Sequence, residues 1–187
     1  MDPFAVIEAF YPQDTPLRQL LLKHSVQVRD KALAIAAGSG VELDLRIVSA
    51  GAILHDIGVG ACHAPSILCT GSEPYIAHGV IGGAMLRCFG ACRGEDWEIW
   101  ARICERHTGS GLTAADVRDQ QLPIPAVDYL PQTPEEKLIC LADKFFSKSG
   151  TMEEKSLPEV RRSMVRFGAE SLARFDELCR FFYLIRA

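Results

Sequence analysis

The chain has 187 residues, 48% of them hydrophobic, which is enough to close one apolar core and gives no reason to expect several independent domains. A formal net charge of −4 excludes the broad basic surface that general nucleic-acid binding requires, while leaving a nucleotide or another small phosphate ester open as a partner. No apolar run approaches the roughly 20 residues of a membrane span, and the start MDPFAVIEAFYPQD lacks the basic and apolar regions of an export signal, so a cytoplasmic protein without membrane partners is expected.

Thr15-Pro16 pairs an N-cap residue with proline at the first helical position, and opens a helix to Gly38 whose apolar stripe is Leu17, Leu21, Val28 and Ile35. His24 lies on that stripe. The next helix, about Leu43 to Ile57, is apolar on nearly every side and is therefore expected to be central, ending in His55-Asp56-Ile57-Gly58 with Gly58 as its C-terminal cap. Residues 59–72 mix Gly, Pro, Ser and Thr without periodicity and read as a loop of functional length.

A helix from Ser72-Glu73-Pro74 to about Phe89 carries His78, Ile81, Met85 and Phe89 on one face; Gly82-Gly83 weakens it unless another helix approaches closely there. From Glu95 to His107 the stripe is Trp100, Ile103, Cys104 and His107. Thr113 caps a short helix to about Gln120, and the four prolines of LPIPAVDYLPQTP impose an extended connection. Thr133-Pro134-Glu135-Glu136 is a capping box opening the helix EEKLICLADKFFSKS, with Asp143 on its apolar face.

Two amphipathic helices, about 153–167 and 169–184, close the chain. Their arginines (161, 162, 166, 174, 180 and 186) read as a solvated face, and the stripe Leu172, Phe175, Leu178 and Phe182 covers either the core or a second subunit in a homodimer. There is no strand alternation, and the fold class is all-α: one bundle-like domain over 1–187, a core of 15–150 followed by a helical extension of 151–187. The seven cysteines include no CxxC pair and read as reduced thiols that mostly fill the core.

Burying an imidazole or a carboxylate in an apolar interior costs several kcal/mol unless a partner compensates it. His24, His55 with Asp56, His78, His107 and Asp143 lie on the inward faces of five separate expected helices, in a chain with only five histidines. Convergence on metal accounts for the set better than isolated core histidines do, and the mixture of imidazole and carboxylate favours a transition metal. The remaining histidine, His63, lies in the 59–72 loop with Cys62 and Cys69, which lack zinc-site spacing and a clear fourth ligand.

His24 in KHSVQVRDKALAIA, the doublet in GAILHDIG and Asp143 in ICLADKF resemble the H, HD, D pattern of the HD superfamily of metal-dependent phosphohydrolases, specifically its HDIG-type branch. The resemblance implies an HD-domain helical bundle. His78 and His107, between the doublet and the last Asp, resemble the extra ligands of members that hold two metals. It follows from the resemblance that one ion takes His24, His55, Asp56 and Asp143, that a second takes His78 and His107, and that Asp56 bridges them, with Fe or Mn favoured and Zn, Co, Ni or Mg as other fits. The activity implied is hydrolysis of a phosphomonoester or phosphodiester of a nucleotide or similar small molecule by a hydroxide between the metals, with Asp56 central. The alternatives are a mixed-valent di-iron oxygenase, which uses the same ligand set in a minority of HD proteins, and a non-catalytic sensing domain.

Arg106, Lys144 and Lys148, near ligands in sequence, are candidates for phosphate contacts or leaving-group protonation, as are Arg18 and Lys23 beside His24. Lys144 is expected about 100° around the helix from Asp143, toward the pocket rim. Glu73 and the Cys62/Cys69 loop are expected at the pocket mouth. Two departures from relatives stand out: Val59 replaces the lysine that often follows HDIG, and the GYP signature of the cyclic-dinucleotide branch is absent.

Overall fold

A computed structural model describes residues 1–185, so that Arg186 lies outside the described residues. The path begins with a helix the sequence reading did not anticipate, α1 (Pro3–Phe10), capped by the Asp2 carboxylate. α2 (Pro16–Ser39) follows from the Thr15 cap, whose hydroxyl accepts from the Arg18 amide, and ends at Gly40 in the left-handed conformation. α3 (Leu45–Leu54) starts at Asp44 and is buried along its C-terminal half.

The stretch read as a plain loop holds three very short strands, β1 (Cys62–Ala64), β2 (Cys69–Thr70) and β3 (Glu73–Pro74), in the order β2-β1-β3. β1 pairs antiparallel with β2 and parallel with β3, in the registers His63 with Thr70 and Cys62 with Glu73. Strands of two or three residues are too short to show alternation and so leave no periodic trace among the amino acids.

α4 (His78–Ala91), α5 (Glu98–Arg106), the short α6 (Ala114–Asp119), α7 (Pro134–Asp143), α8 (Leu157–Val165) and α9 (Ala169–Phe181) complete an all-α bundle. α4 packs most extensively on α5, and α2 lies against both α3 and α7. The C-terminal stripe covers this chain's own core: Phe175, Leu178 and Phe182 are buried and Leu172 packs against them.

Two helices end earlier than their apolar patterns suggest. α3 stops at Leu54, after which Ile57 N–H donates to Leu54 O and Val59 N–H to Asp56 O. α7 stops at Asp143, and the amides of Lys144, Phe145 and Phe146 turn to carbonyls three residues back. These i to i+3 turns tighten the backbone where His55, Asp56 and Asp143 stand.

Gly58 is not a left-handed cap. Its backbone is right-handed helical, and an added Cβ would lie 2.2 Å from the carbonyl oxygen of His78 and 2.5 Å from the amide nitrogen of Gly82. Glycine here lets the HDIG turn touch the first turns of α4, and Gly83 on α4 in turn faces α5, since a Cβ there would meet Ala101 O at 3.0 Å and Glu105 Cγ at 2.8 Å. The helix-weakening glycines therefore serve close helix contact.

The apolar interior forms two clusters. One joins α2, α3, α7, α8 and α9 through Val28, Val48, Leu138, Val160 and Phe175. The other joins α1, α2, α3, α4 and α5 through Ile7, Leu21, Leu54, Leu86 and Cys104. His24 stands between Leu21 of one cluster and Val28 of the other, and the His55-Asp56 doublet between Ala52 and Ile57 in the same way, so these polar groups occupy the seam.

Candidate metal centre

Each ligand candidate is delivered by a helix or its terminal turn. α2 contributes His24 from mid-helix, the turn after α3 contributes His55 and Asp56, α4 begins at His78, His107 caps the end of α5, and Asp143 is the last residue of α7. All six are buried. Two groups arise with ligand atoms within 4.8 Å of one another: His24, His55, Asp56 and Asp143; and Asp56, His78 and His107.

Asp56 belongs to both groups, and its two oxygens face different neighbours. Oδ2 lies 3.2 Å from His24 Nε2 and 3.1 Å from His55 Nε2. Oδ1 lies 3.4 Å from both His78 Nε2 and His107 Nε2. Asp143 Oδ1 is 2.9 Å from His24 Nε2 and 3.5 Å from His55 Nε2.

The tautomers follow from the backbone. Nδ1 of His55, His78 and His107 donates to the carbonyl three residues earlier: Ala52 at 2.7 Å, Tyr75 at 2.6 Å and Cys104 at 2.7 Å. A neutral imidazole that donates from Nδ1 presents a lone pair at Nε2, so all three rings aim an acceptor at the seam. His78 Nε2 and His107 Nε2 are then 3.0 Å apart, two lone pairs facing each other. His55 Nε2 and both oxygens of Asp56 are buried without a hydrogen bond of good geometry. Facing lone pairs and a buried carboxylate oxygen, Asp56 Oδ1, that meets only imidazole nitrogens fit a cation as the missing partner, and the nitrogen and oxygen donor set fits a transition metal.

The electrostatics agree. Burial raises the Asp56 carboxyl, but His55 and Lys148 outweigh it and hold the group well below the usual carboxylate range. Asp143 is likewise held low against burial by Lys144 and Lys148. Burial and the neighbouring His107 push His78 down to about 3, which keeps its ring neutral and able to ligate; the Asp56 and Asp143 carboxylates overcome burial to raise His55 to about 9, so that without a cation His55 holds a proton on Nε2, which a metal would displace.

The candidate cations divide. Lys148 Nζ lies 2.6 Å from Asp56 Oδ2 and is largely buried; the paired carboxylates hold its ammonium charged against burial. It reaches the seam because α7 ends at Asp143 and the chain curls, where a continued helix would have carried it past. Lys144 does not point away from Asp143: as the C-cap it folds back, with Nζ 2.6 Å from Asp143 Oδ2 while donating to His107 O at 3.1 Å. Arg106 turns to the buried Glu136 at 2.9 Å, beside Arg102, and so supports the junction of α5 with α7. Arg18 is engaged with Pro12 O and Glu8, and Lys23 and Glu73 are exposed.

Cys62 and Cys69 are buried while His63 is exposed, so adjacent strand positions face opposite ways and do not converge on an ion. Cys104, Cys140 and Cys179 fill core positions, and Cys88 and Cys92 are exposed. Tyr75 was not singled out from the sequence; it stacks on His78 with ring centroids 4.6 Å apart and supplies the carbonyl that fixes the tautomer of that ring. Its position three residues before His78 was the available signal.

The chain is 35% identical over 126 residues to an uncharacterized protein of Methanocaldococcus jannaschii, covering 66% of this chain and 64% of the relative. It is 33% identical over 138 residues to a tRNA (cytidine(56)-2'-O)-methyltransferase of Picrophilus torridus, and 28% over 158 residues to the protein of the same name from Thermoplasma volcanium. Those matches cover 74% and 84% of this chain but only 35% and 41% of the relatives, so the chain spans less than two thirds of the length of each of these three relatives. No solved structure matches it. The HD domain family model matches residues 21–147, a segment holding all six buried His and Asp residues of the seam, and the chain belongs to the HD domain family.

Proposed function

We propose that this protein is a metal-dependent phosphohydrolase of the HDIG type with a dinuclear centre, cleaving a phosphomonoester or phosphodiester of a nucleotide or similar small molecule. HD domains as a family bind divalent metals and are generally metal-dependent phosphohydrolases. The observation that carries the finer reading is the sharing of Asp56, with one oxygen toward His24 and His55 and the other toward His78 and His107. On this reading His24, His55, Asp56 and Asp143 hold one ion, and Asp56, His78 and His107 hold another, with Fe or Mn favoured by the donors.

Bound metals would acidify water and offset the charge that develops on the phosphoryl group. The protein's own share is positional. The three carbonyl-tied imidazoles keep their Nε2 lone pairs in place. Lys144 steadies Asp143, and the charged Lys148 stands beside Asp56, where it can neutralise a phosphoryl oxygen. The methyltransferase activity in the names of two relatives is not carried over, because the match covers a minority of those proteins.

The test is metal analysis of the purified chain together with phosphatase and phosphodiesterase assays in air and under argon. The reading expects close to two ions per chain and release of phosphate or alcohol independent of oxygen. Oxygen consumption with an iron(II)/iron(III) signal would make it a di-iron oxygenase, and one ion in a fully active sample would end the dinuclear assignment.

A further inference from the structure

Asp143 also lines a cleft of about 180 Å³ between the turn that follows α7 and helix α8. Lys144 and Ser147 stand on one side, and Lys155, Ser163 and Arg166 on the other. Three cations therefore face a single carboxylate, and that carboxylate is already engaged by His24 and Lys144.

The two outer cations have no acidic partner within ion-pair distance among the described residues. The nearby acids are committed elsewhere: Glu159 accepts from the amide and hydroxyl of Ser156, and Glu154 pairs with Lys31. The position of Lys155 is also fixed. Its amide donates to Phe145 O at 2.8 Å, and just before it Met152, in the left-handed region at φ 57°, accepts from Gln27 through its carbonyl.

A cation at Arg166 is accounted for by the C-terminal end of α8, whose dipole favours positive charge. Lys155 has no such account. It precedes Ser156, the N-cap of α8, so the positive end of the helix opposes its charge. Partial burial lowers its affinity for the proton; the Asp143 carboxylate opposes this most strongly, but Arg166 and Lys144 add to the effect of burial and the net shift is downward. A half-buried lysine held among like charges at a helix N-terminus is unfavourable unless an anion joins it.

We propose that this cleft is a second anion subsite, in which Lys155 and Arg166 bind a negatively charged group of the substrate other than the phosphoryl group that reacts at the His–Asp cluster. The proposal rests on the phosphohydrolase reading and narrows its substrate class to small organic phosphates carrying a further phosphate or carboxylate. Ligand pockets for drug-sized molecules run to roughly 300–1,000 Å³, and a cleft of about 180 Å³ suits a compact anionic group better than a base and sugar.

The experiment is calorimetric binding to the metal-loaded full chain of three non-hydrolysable probes: methylphosphonate, methylenebisphosphonate and phosphonoacetate. Both two-anion probes are expected to bind at least about tenfold more tightly than methylphosphonate, with the better of the two identifying the second group as phosphate or carboxylate. That advantage should disappear in Lys155→Gln/Arg166→Gln, while methylphosphonate affinity and metal content stay unchanged. Equal binding of all three probes by the parent protein, which needs no variant to be folded, would overturn the subsite, as would an advantage that survives the double substitution. Hydrolysis of simple phosphate esters alongside equal probe binding would retire the subsite and leave the hydrolase reading standing. A two-anion preference lost in the variant, with no hydrolysis under any metal, would retire the hydrolase reading and leave the anion subsite.

Discussion

Asp56 is shared by the two groups of residues that could hold a metal, and of its two buried oxygens only Oδ2 meets a cation of the chain, the Lys148 ammonium. Asp56→Ala should therefore empty both positions, with a loss of metal affinity and turnover beyond the roughly 10–100-fold expected when an outer partner of a ligand is removed. His78→Ala and His107→Ala each leave the four-residue group intact and should retain metal there, so metal content by mass spectrometry separates the cases; equal retention in all three variants would contradict the shared role. Lys144 calls for a different expectation from the one its sequence position suggests. Spacing along an unbroken helix directs it to the pocket rim, where its loss would raise KM alone, but the helix ends at Asp143 and the flexible stem folds back onto that carboxylate. Lys144→Ala should thus weaken metal retention by about 10–100-fold as well as affecting substrate binding. A change confined to KM, with metal affinity unchanged, would return Lys144 to the rim.

At the scale of elements, the HDIG turn and α4 are held at a separation only glycine allows. Gly58→Ala places a methyl group against backbone atoms of His78 and Gly82, which cannot move aside as a side chain can, so a loss of about 1–3 kcal/mol in urea unfolding is expected. A midpoint unchanged from the parent would mean that α4 shifts freely. Three helix starts were legible in the sequence because their caps are local: Thr15, Thr113 and Thr133 each cap the helix their motif announces, whereas Ser72-Glu73-Pro74, expected to open a helix, instead holds β3, and α4 begins only at His78. The ends were less legible, since α3 and α7 tighten into i to i+3 turns at His55, Asp56 and Asp143 while apolar side chains continue in sequence. Ile57 and Phe145 remain buried without belonging to a helix, and so extend the pattern beyond the element. The three short strands left no periodic trace, and α1 is a two-turn helix whose signal, Asp2 followed by Pro3, was too brief to weigh against an irregular terminus.

In the whole molecule, the six buried His and Asp residues stand where two apolar clusters meet, and their inward-facing positions were readable because a polar residue on an apolar stripe interrupts the helical period visibly. Lys155 and Arg166 interrupt no such period, and only the curl after α7 together with the placement of α8 brings them beside Asp143. Such an arrangement makes the stability of the bundle depend on what fills the seam. Without a cation, the facing nitrogens of His78 and His107 at 3.0 Å and the unsatisfied Asp56 oxygens oppose closure of α4 and α5 on α3, and Lys148 compensates on the Oδ2 side only. A metal that binds the native chain at about a hundred times its Kd adds about 2.7 kcal/mol to stability. At about 2–4 °C per kcal/mol for a domain of this size, chelation should lower Tm by about 5–11 °C, and readdition of Fe(II) or Mn(II) should restore it. In His78→Ala and His107→Ala the shift should shrink without vanishing, because the group containing His24, His55, Asp56 and Asp143 remains. Identical melting of chelated and reloaded parent protein would show that the seam is satisfied without metal, and would remove the metal from the account of how these helices stay together.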